Sequence, residues 1–186
     1  MGRIMDSMKR VLVAGMGVEA SSGIPLVLLR EDDEPHRVLP IFIGAHEATA
    51  IALAGRSELL PRPLTHDLMA ALVQSLDGRV DAVEVTELRD GAFKASLAVH
   101  GPAGEQRLDT RPSDAIALAL RLGAPVFVAE EVLDAAGAVV GAPDGERGEQ
   151  AALDQAAIDE AVEQFRSFLD DVDPAQFADD SPSAEG

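Results

Sequence analysis

A six-residue string occurs twice in this chain, and the repetition limits the folds that are open to it. Residues 49–54 read TAIALA and residues 114–119 read DAIALA, an offset of 65 with five of six positions identical. Each copy follows about three extended segments, and each precedes a proline and a second helix. This order predicts an internal duplication in which two strand–strand–strand–helix units share one core. Because runs of strands lie between the helices, the expected fold class is α+β rather than a doubly wound sheet.

Apolar periodicity and turn residues give the bounds of the expected elements. The first half is expected to contain strands over 10–16, 23–30 and 37–44 and helices over 47–54 and 65–76. The second half is expected to contain strands over 80–88 and 92–100, the end of a third strand over 107–110, a short strand over 125–129, and helices over 114–122 and 130–136. In this interpretation Thr65 and Ser113 each cap the start of a helix with a side-chain oxygen.

The composition supports a folded core and excludes several kinds of site. Hydrophobic residues make up 47% of the 186 residues, and the chain has no cysteine. A disulfide framework, a zinc site with thiolate ligands and a cysteine nucleophile are therefore ruled out. No apolar run reaches the ~18 to 20 residues that span a bilayer, and the first residues do not read as a signal peptide. We therefore expect a cytoplasmic protein without a membrane partner.

Negative charge is concentrated at the end of the sequence. Residues 141–186 contain 13 acidic and 2 basic residues, whereas residues 1–140 contain 20 and 13, within a formal net charge of −18. Long-range attraction to nucleic acid is not favoured, so any phosphate site must be a local patch. The composition and the helical spacing near the end predict a leader over 1–7, a domain over 8–140, a linker over 141–150, an acidic amphipathic helix over 151–173 and a disordered tail over 174–186.

Carboxylates at strand ends or helix starts are candidates for metal binding and catalysis, and there are four of them: Glu47, Asp67, Asp109 and Asp114. Phosphodiester hydrolysis commonly uses such groups to hold divalent cations, which activate water and neutralise charge at phosphorus. Glu47 and Asp114 occupy similar places in the two units, so the duplication favours their convergence. The alternative interpretation is that acidic residues in a first helical turn complement the helix dipole.

Basic residues near the same helix starts are candidates for phosphate binding and proton transfer. In the string Arg111-Pro112-Ser113-Asp114, an arginine beside a helix N-terminus predicts an anion site. The alternative is an ion pair of Arg111 with Asp109 or Asp114 that fixes the turn. Arg62 precedes the helix over 65–76 in a similar way. His66 is a candidate general base or metal ligand, although an isolated histidine at a helix start is more often exposed or hydrogen bonded.

Several strings together resemble the bifunctional nuclease domain family, over roughly residues 8–136. The most specific are Arg62-Pro63-Leu64-Thr65-His66-Asp67 and Arg111-Pro112-Ser113-Asp114-Ala115-Ile116. The others are Leu39-Pro40-Ile41-Phe42-Ile43-Gly44, Glu47-Ala48-x-Ala50-Ile51, Asp90-Gly91-x-Phe93 and Ala124-Pro125-Val126-Phe127-Val128. The acidic segment near the end, with Phe165-Arg166-x-Phe168-Leu169, is similar to the extension of actinobacterial members.

The resemblance implies an α+β domain with an internal repeat that forms homo-oligomers, at least dimers, and that acts as a nuclease on DNA and RNA. It implies a divalent cation, Mg²⁺ or Mn²⁺, with the ligands Glu47, Asp67, Asp109 and Asp114. The catalytic candidates are these four carboxylates and His66, which would transfer protons. The phosphate-binding candidates are Arg111, Ser113 and Arg62. The other hypothesis is a non-catalytic oligomeric binding module in which the Arg-Pro-Ser-Asp turn is structural.

Overall fold

The computed structural model describes residues 7–54 and 62–139 of the chain. The expected linker over 141–150, the helix over 151–173 and the tail over 174–186 lie outside these residues, as do residues 1–6 of the expected leader. Within the described residues, no helix is long and apolar enough to cross a membrane.

Eight strands and four helices make up most of the described residues. The strands are β1 (Met8–Val18), β2 (Pro25–Glu31), β3 (Arg37–Phe42), β4 (Arg79–Arg89), β5 (Ala92–Gly101), β6 (Gly104–Thr110), β7 (Val126–Ala129) and β8 (Ala138–Val139). The helices are α1 (Ala45–Ala54), α2 (Thr65–Ser75), α3 (Pro112–Leu122) and α4 (Glu130–Ala136). Every predicted strand and helix in this part of the chain is present. The two-residue strand β8 was not predicted, because it is too short to show a period.

The strands form one mixed sheet in the order β6-β5-β4-β7-β1-β2-β3-β8. Strands β1, β2 and β3 pair antiparallel, and so do β4, β5 and β6. Each half therefore contributes three consecutive strands before its helix, α1 or α3. Strand β7 lies between the halves, parallel to β4 and antiparallel to β1. The α+β class is confirmed, and the sheet is continuous across both halves.

Helix α3 lies at the centre of the hydrophobic core. The repeated string falls in its middle, where Ile116 and Leu118 are almost completely buried together with the alanines beside them. Helices α1 and α2 both pack against α3, and the matching string in α1 buries Ile51. Each of the large apolar side chains contributes about 1.5 to 3 kcal/mol by burial. This packing brings the first turns of the three helices close to one another.

Two helices contain the predicted capping residues within their first turns instead of beginning after them. Helix α3 begins at Pro112 with Arg111 at the N-cap position, so Ser113 lies inside the first turn, where it is buried and does not cap the helix. Proline suits the first helical position because its φ angle is fixed and it has no N–H to satisfy. Helix α2 begins at Thr65, and the Asp67 carboxylate accepts a hydrogen bond from the Leu64 N–H at 2.8 Å. Both predicted caps are therefore wrong.

Candidate functional site

Four of the predicted site residues meet where the first turns of α1, α2 and α3 converge. Glu47 lies in the first turn of α1, His66 in that of α2 and Asp114 in that of α3, while Arg111 directly precedes α3. Because α1 and α2 both pack against α3, these helix starts are neighbours. We refer to Glu47, His66, Arg111 and Asp114 as the Arg111 network.

Arg111 joins the two carboxylates of the Arg111 network. Its Nε donates a hydrogen bond to Asp114 Oδ2 at 2.7 Å, and its Nη1 lies 2.9 Å from Glu47 Oε1. The hydrogen bond to Asp114 and the charges of both carboxylates raise the pKa of the guanidinium above its ordinary value. The ion pair between Arg111 and Asp114 is thus formed. The arginine side chain is still 67% exposed, so a ligand can reach it.

The second carboxylate oxygen of Asp114 faces His66. His66 Nε2 lies 3.2 Å from Asp114 Oδ1, and both side chains are mostly shielded from solvent. Burial alone raises the pKa of the Asp114 carboxyl, but hydrogen bonds from Arg111 and His66 outweigh it and lower that pKa below its ordinary value. Asp114 is therefore ionised at neutral pH and can hold the proton of His66 on Nε2. In that tautomer, Nδ1 is the nitrogen that accepts a proton.

Gly44 makes room for the carboxylate of Glu47. A Cβ atom at residue 44 would fall against Glu47 Oε2, so the carboxylate occupies the space that a side chain would take. The Gly44 carbonyl oxygen also accepts a hydrogen bond from the Ala48 N–H at 2.9 Å, which begins helix α1. The missing side chain therefore allows the Glu47 carboxylate to lie close to the backbone and within reach of Arg111.

Two members of the Arg111 network, Glu47 and Arg111, line an open groove of about 370 Å³. Glu47, Arg111 and Ser113 line one part of it, and Phe42 and Phe93 line another. The Phe42 ring is about half exposed, which is unusual for the end of a strand whose other apolar residues are buried. The groove thus combines an accessible aromatic ring with an accessible cation. Single-stranded nucleic acids are bound by this combination, through base stacking and phosphate contacts.

A second network surrounds Asp67 and includes a residue that was not predicted, Arg121 in the last turn of α3. Arg121 Nε lies 2.5 Å from Asp67 Oδ1, and Nη1 donates to the carbonyl oxygens of Ala50 and Ala117 at 2.9 and 2.8 Å. Hydrogen bonds from Arg121 and from the Leu64 N–H lower the pKa of Asp67. A basic residue in a last helical turn is sufficiently explained by the helix dipole. A sequence pattern that could have pointed to Arg121 is its position directly after the apolar run 115–120.

Besides Asp67, three predicted site residues lie outside the Arg111 network. Asp109 lies exposed on β6, opposite Ser96. Arg62 lies exposed ahead of α2, and no hydrogen bond or ion pair joins either side chain to another described residue. Ser113 lines the groove but is buried. The alternative ion pair between Arg111 and Asp109 is therefore not formed, because the guanidinium turns toward the helix starts.

The four predicted metal ligands do not form one cluster. Glu47 and Asp114 contact Arg111, Asp67 contacts Arg121, and Asp109 lies apart. Among residues 7–54 and 62–139, no group of three or more histidine, aspartate or glutamate side chains is arranged to hold a metal ion. Guanidinium groups already contact three of the carboxylates, with Glu47 and Asp114 sharing Arg111. The described residues therefore do not fit the predicted Mg²⁺ or Mn²⁺, and we derive no step through a metal.

Comparison with known proteins identifies the family of the domain that carries the Arg111 network. The family model for the bifunctional nuclease domain matches residues 27–141. The chain belongs to the bifunctional nuclease domain family. An uncharacterized protein of Mycobacterium tuberculosis is 41% identical over 170 residues, which cover 91% of this chain and 98% of the relative. The resemblance in the motif strings is confirmed, and the range matched by the bifunctional nuclease domain contains the whole Arg111 network.

Two plant relatives of this bifunctional nuclease domain have an activity in their names. Bifunctional nuclease 1 of Oryza sativa subsp. japonica is 27% identical over 105 residues, which are 55% of this chain and 32% of the plant protein. Bifunctional nuclease 2 of the same plant is 26% identical over 117 residues, which are 61% of this chain and 36% of the plant protein. The similarity therefore covers the domain and about a third of each plant protein.

Proposed function

We propose that this bifunctional nuclease domain hydrolyses phosphodiester bonds in DNA and RNA with little sequence preference. The observation that carries the proposal is the exposed Arg111 guanidinium at the groove, next to the His66–Asp114 pair. The names of the two plant relatives support the same activity.

In this proposal Arg111 supplies the phosphate contact. A guanidinium has five N–H donors, and the two carboxylate contacts of Arg111 use only Nε and Nη1. The remaining donors can bind phosphate oxygens, for which the planar guanidinium is well suited. Because the chain has a net charge of −18, attraction to nucleic acid must come from a local contact such as that of Arg111. We therefore expect few phosphate contacts and a shallow dependence of binding on salt.

The His66–Asp114 pair supplies the proton transfer. With its Nε2 proton held by Asp114, His66 accepts a proton from water at Nδ1 as that water attacks phosphorus, and it returns the proton to the leaving oxygen. Asp114 orients the imidazole, as a carboxylate does in other histidine-dependent enzymes. Phe42 holds a base by stacking while Arg111 holds a neighbouring phosphate.

Cleavage of a labelled single-stranded oligonucleotide by extensively purified full-length protein tests this proposal. The assay is run with Mg²⁺, with Mn²⁺ and with chelator, because the divalent cation stays a prediction. Asp114→Asn and Arg111→Ala are the test variants. Asp109→Asn is the matched control, because it removes the same charge from the same motif at a residue outside the Arg111 network.

We expect the wild type and Asp109→Asn to cleave, and both test variants to lose on the order of 100-fold in rate, the scale of general acid–base catalysis. Circular dichroism checks that each variant is folded. Equal cleavage by all four proteins would mean that a contaminating nuclease is being measured. No cleavage by any of them under any metal condition would contradict the nuclease proposal.

A second candidate function, a non-catalytic oligomeric binding module, has an observation of its own. Three of the predicted catalytic carboxylates are each paired with an arginine, as expected if the Arg-Pro-Ser-Asp turn and its neighbours form a structural joint. In this proposal the chain forms homo-oligomers, at least dimers, and the groove binds a ligand without cleaving it. A protein that is folded and assembled but inactive in the cleavage assay would support this candidate.

The internal duplication, the acidic helix over 151–173 and the cytoplasmic location remain proposals. The duplication is supported by the two series of three antiparallel strands, each followed by a helix that contains the repeated string.

A further inference from the structure

Helix α2 has a stripe of exposed apolar residues on its solvent side. Leucines recur every four residues from the N-cap to the C-cap of the helix, and a methionine lies beside them: Leu64, Leu68, Leu72, Leu76 and Met69. Their exposed fractions range from 37% to 68%. The opposite side of α2 is anchored in the core through Ala70. We refer to the five exposed residues as the α2 stripe.

The α2 stripe carries no charged side chain. Asp67, the acidic residue of this helix, is paired with Arg121, and His66 contacts Asp114. The other exposed residues of α2 are Thr65, Ala71, Gln74 and Ser75, which are neutral. In a chain with a net charge of −18, two copies can meet on such a surface without bringing like charges together. A partner recognised by its charge would find no group to pair with on this surface.

We propose that the α2 stripe packs against the α2 stripe of a second copy of this chain about a two-fold axis. Leucines spaced four residues apart form the i±4 ridge of a helix, and two such ridges interdigitate when the helices cross at about −50°. A two-fold interface uses the same patch on both copies, and a single uncharged helix face provides such a patch. The inference names the surface of the homo-oligomer proposed above and rests on that oligomer, but it does not depend on nuclease activity.

The exposed area of the α2 stripe matches the centre of an interface between two copies. The exposed surface of its five residues equals that of about two and a half fully exposed leucine or methionine residues. Contiguous apolar patches of roughly a few hundred Å² on a protein surface commonly mark interaction sites. A standard interface buries about 800 Å² per partner. The α2 stripe therefore supplies the apolar centre, and polar residues around it supply the rim.

The mass of the full-length chain in solution tests this proposal. Wild type, Leu72→Glu and Leu108→Glu are compared by light scattering at one protein concentration, after circular dichroism has shown that they are folded. Leu108 is the matched control, because it is 46% exposed on β6 while Leu72 is 50% exposed on α2. We expect wild type and Leu108→Glu at twice 19.5 kDa, and Leu72→Glu at the monomer mass.

Three outcomes of the mass measurement would overturn the interface. A monomeric wild type would mean that another segment of the chain, or another protein, covers the stripe. An assembled Leu72→Glu would place the contact between copies elsewhere, and so would dissociation of Leu108→Glu to the same extent. If the chain assembles as expected but cleaves no oligonucleotide, the result supports the interface and contradicts the nuclease proposal.

The absence of cysteine from the sequence permits a second test that avoids a buried charge. Met69→Cys places a single thiol near the middle of the α2 stripe, where a two-fold axis brings two copies together, and Gln106→Cys places one on the exposed strand β6. Because a disulfide requires Cα atoms within about 7 Å, a short bismaleimide crosslinker is used beside mild oxidation. We expect covalent dimers from Met69→Cys and none from Gln106→Cys. Equal crosslinking of the two variants, or none of Met69→Cys, overturns the interface.

Discussion

Oδ1 of Asp114 lies 3.2 Å from Nε2 of His66, and this contact joins the first turns of α3 and α2. The other carboxylate oxygen accepts a hydrogen bond from Arg111. Replacing Asp114 by asparagine removes the charge to which both partners bind. We expect Asp114→Asn to lower the free energy of unfolding by about 2 kcal/mol at neutral pH, the scale of hydrogen bonds to charged groups. Urea unfolding measures the change.

A double-mutant cycle isolates the contact between these two side chains. Asp114→Asn, His66→Ala and the double variant are unfolded in urea under the same conditions. For residues in contact we expect a coupling free energy of about 1 kcal/mol. If the effects of the two single substitutions add without coupling, the His66–Asp114 contact does not stabilise the fold.

We expect the removal of Arg121 to lower the free energy of unfolding more than the removal of any other arginine near the site. Its side chain is 7% exposed, and it binds Asp67 together with carbonyl oxygens of α1 and α3. Arg121→Met leaves these groups without their donor, so we expect a loss of about 3 kcal/mol in the free energy of unfolding. Arg79→Met is the control, because Arg79 forms an exposed ion pair with Asp81 and should change stability by less than about 1 kcal/mol. Similar losses in both variants, measured by urea unfolding, would contradict this role for Arg121.

Acid is expected to unfold the domain through carboxylates that bind arginines. Hydrogen bonds from Arg37, Arg121 and Arg107 lower the pKa values of Glu31, Asp67 and Glu84, and that of Asp114 is lowered as well. In the unfolded chain these groups return to their ordinary pKa values, 3.8 for aspartate and 4.5 for glutamate. The unfolded state therefore binds more protons than the native state below about pH 5, and acidification favours unfolding.

The measurement is the free energy of unfolding in urea at a series of pH values. We expect it to be nearly constant at neutral pH and to fall progressively from about pH 5 downward, as the pH passes through the ordinary pKa values toward the lowered ones. Glu84→Gln removes one of these titrating groups and should give a shallower fall. A free energy of unfolding that stays constant down to about pH 3 would contradict the expectation.

Gly44→Ala tests the placement of Glu47 without removing a charged group. The new methyl group falls against Glu47 Oε2, which is the end of a flexible side chain, so the carboxylate should move away while the backbone stays in place. We expect the free energy of unfolding to change by less than about 1 kcal/mol and the cleavage rate to change clearly. Gly101→Ala is the control, because a Cβ atom there meets no neighbouring atom. A cleavage rate that is equal in the two variants would show that the position of Glu47 is unimportant.

The elements of this fold could be predicted from local patterns, but their arrangement could not. Alternating apolar residues and turn residues locate the long strands, and the repeated string lies within α1 and α3. The place of β7 between β1 and β4 depends on pairing between residues far apart in the chain. A local sequence pattern does not show which distant strand will pair with β7. The sequence predicts the wrong start for α3, because Pro112 and Ser113 both favour a helix start. The helix begins at the proline.

The candidate site was predicted in part, for a similar reason. The expected convergence of Glu47 and Asp114 is seen in the structure, where both carboxylates contact Arg111. The sequence does not show which carboxylate an arginine reaches, since this depends on packing between helices. Arg121 illustrates the point, because its partner Asp67 is 54 residues away in the chain. Asp109 fits the sequence pattern as well as Asp114 does, yet it lies exposed on β6.

Strand β7 has a consequence for the synthesis of the protein. Met8 at the start of β1 pairs with Ala129, and Val83 of β4 pairs with Val126. On a ribosome, both halves of the sheet emerge before the strand that lies between them, so each presents an unpaired edge to the surroundings in the meantime. Exposed strand edges promote misassembly, and pairing between distant residues is slow. The nascent chain is therefore the stage at which this protein is most open to aggregation and to capture by chaperones.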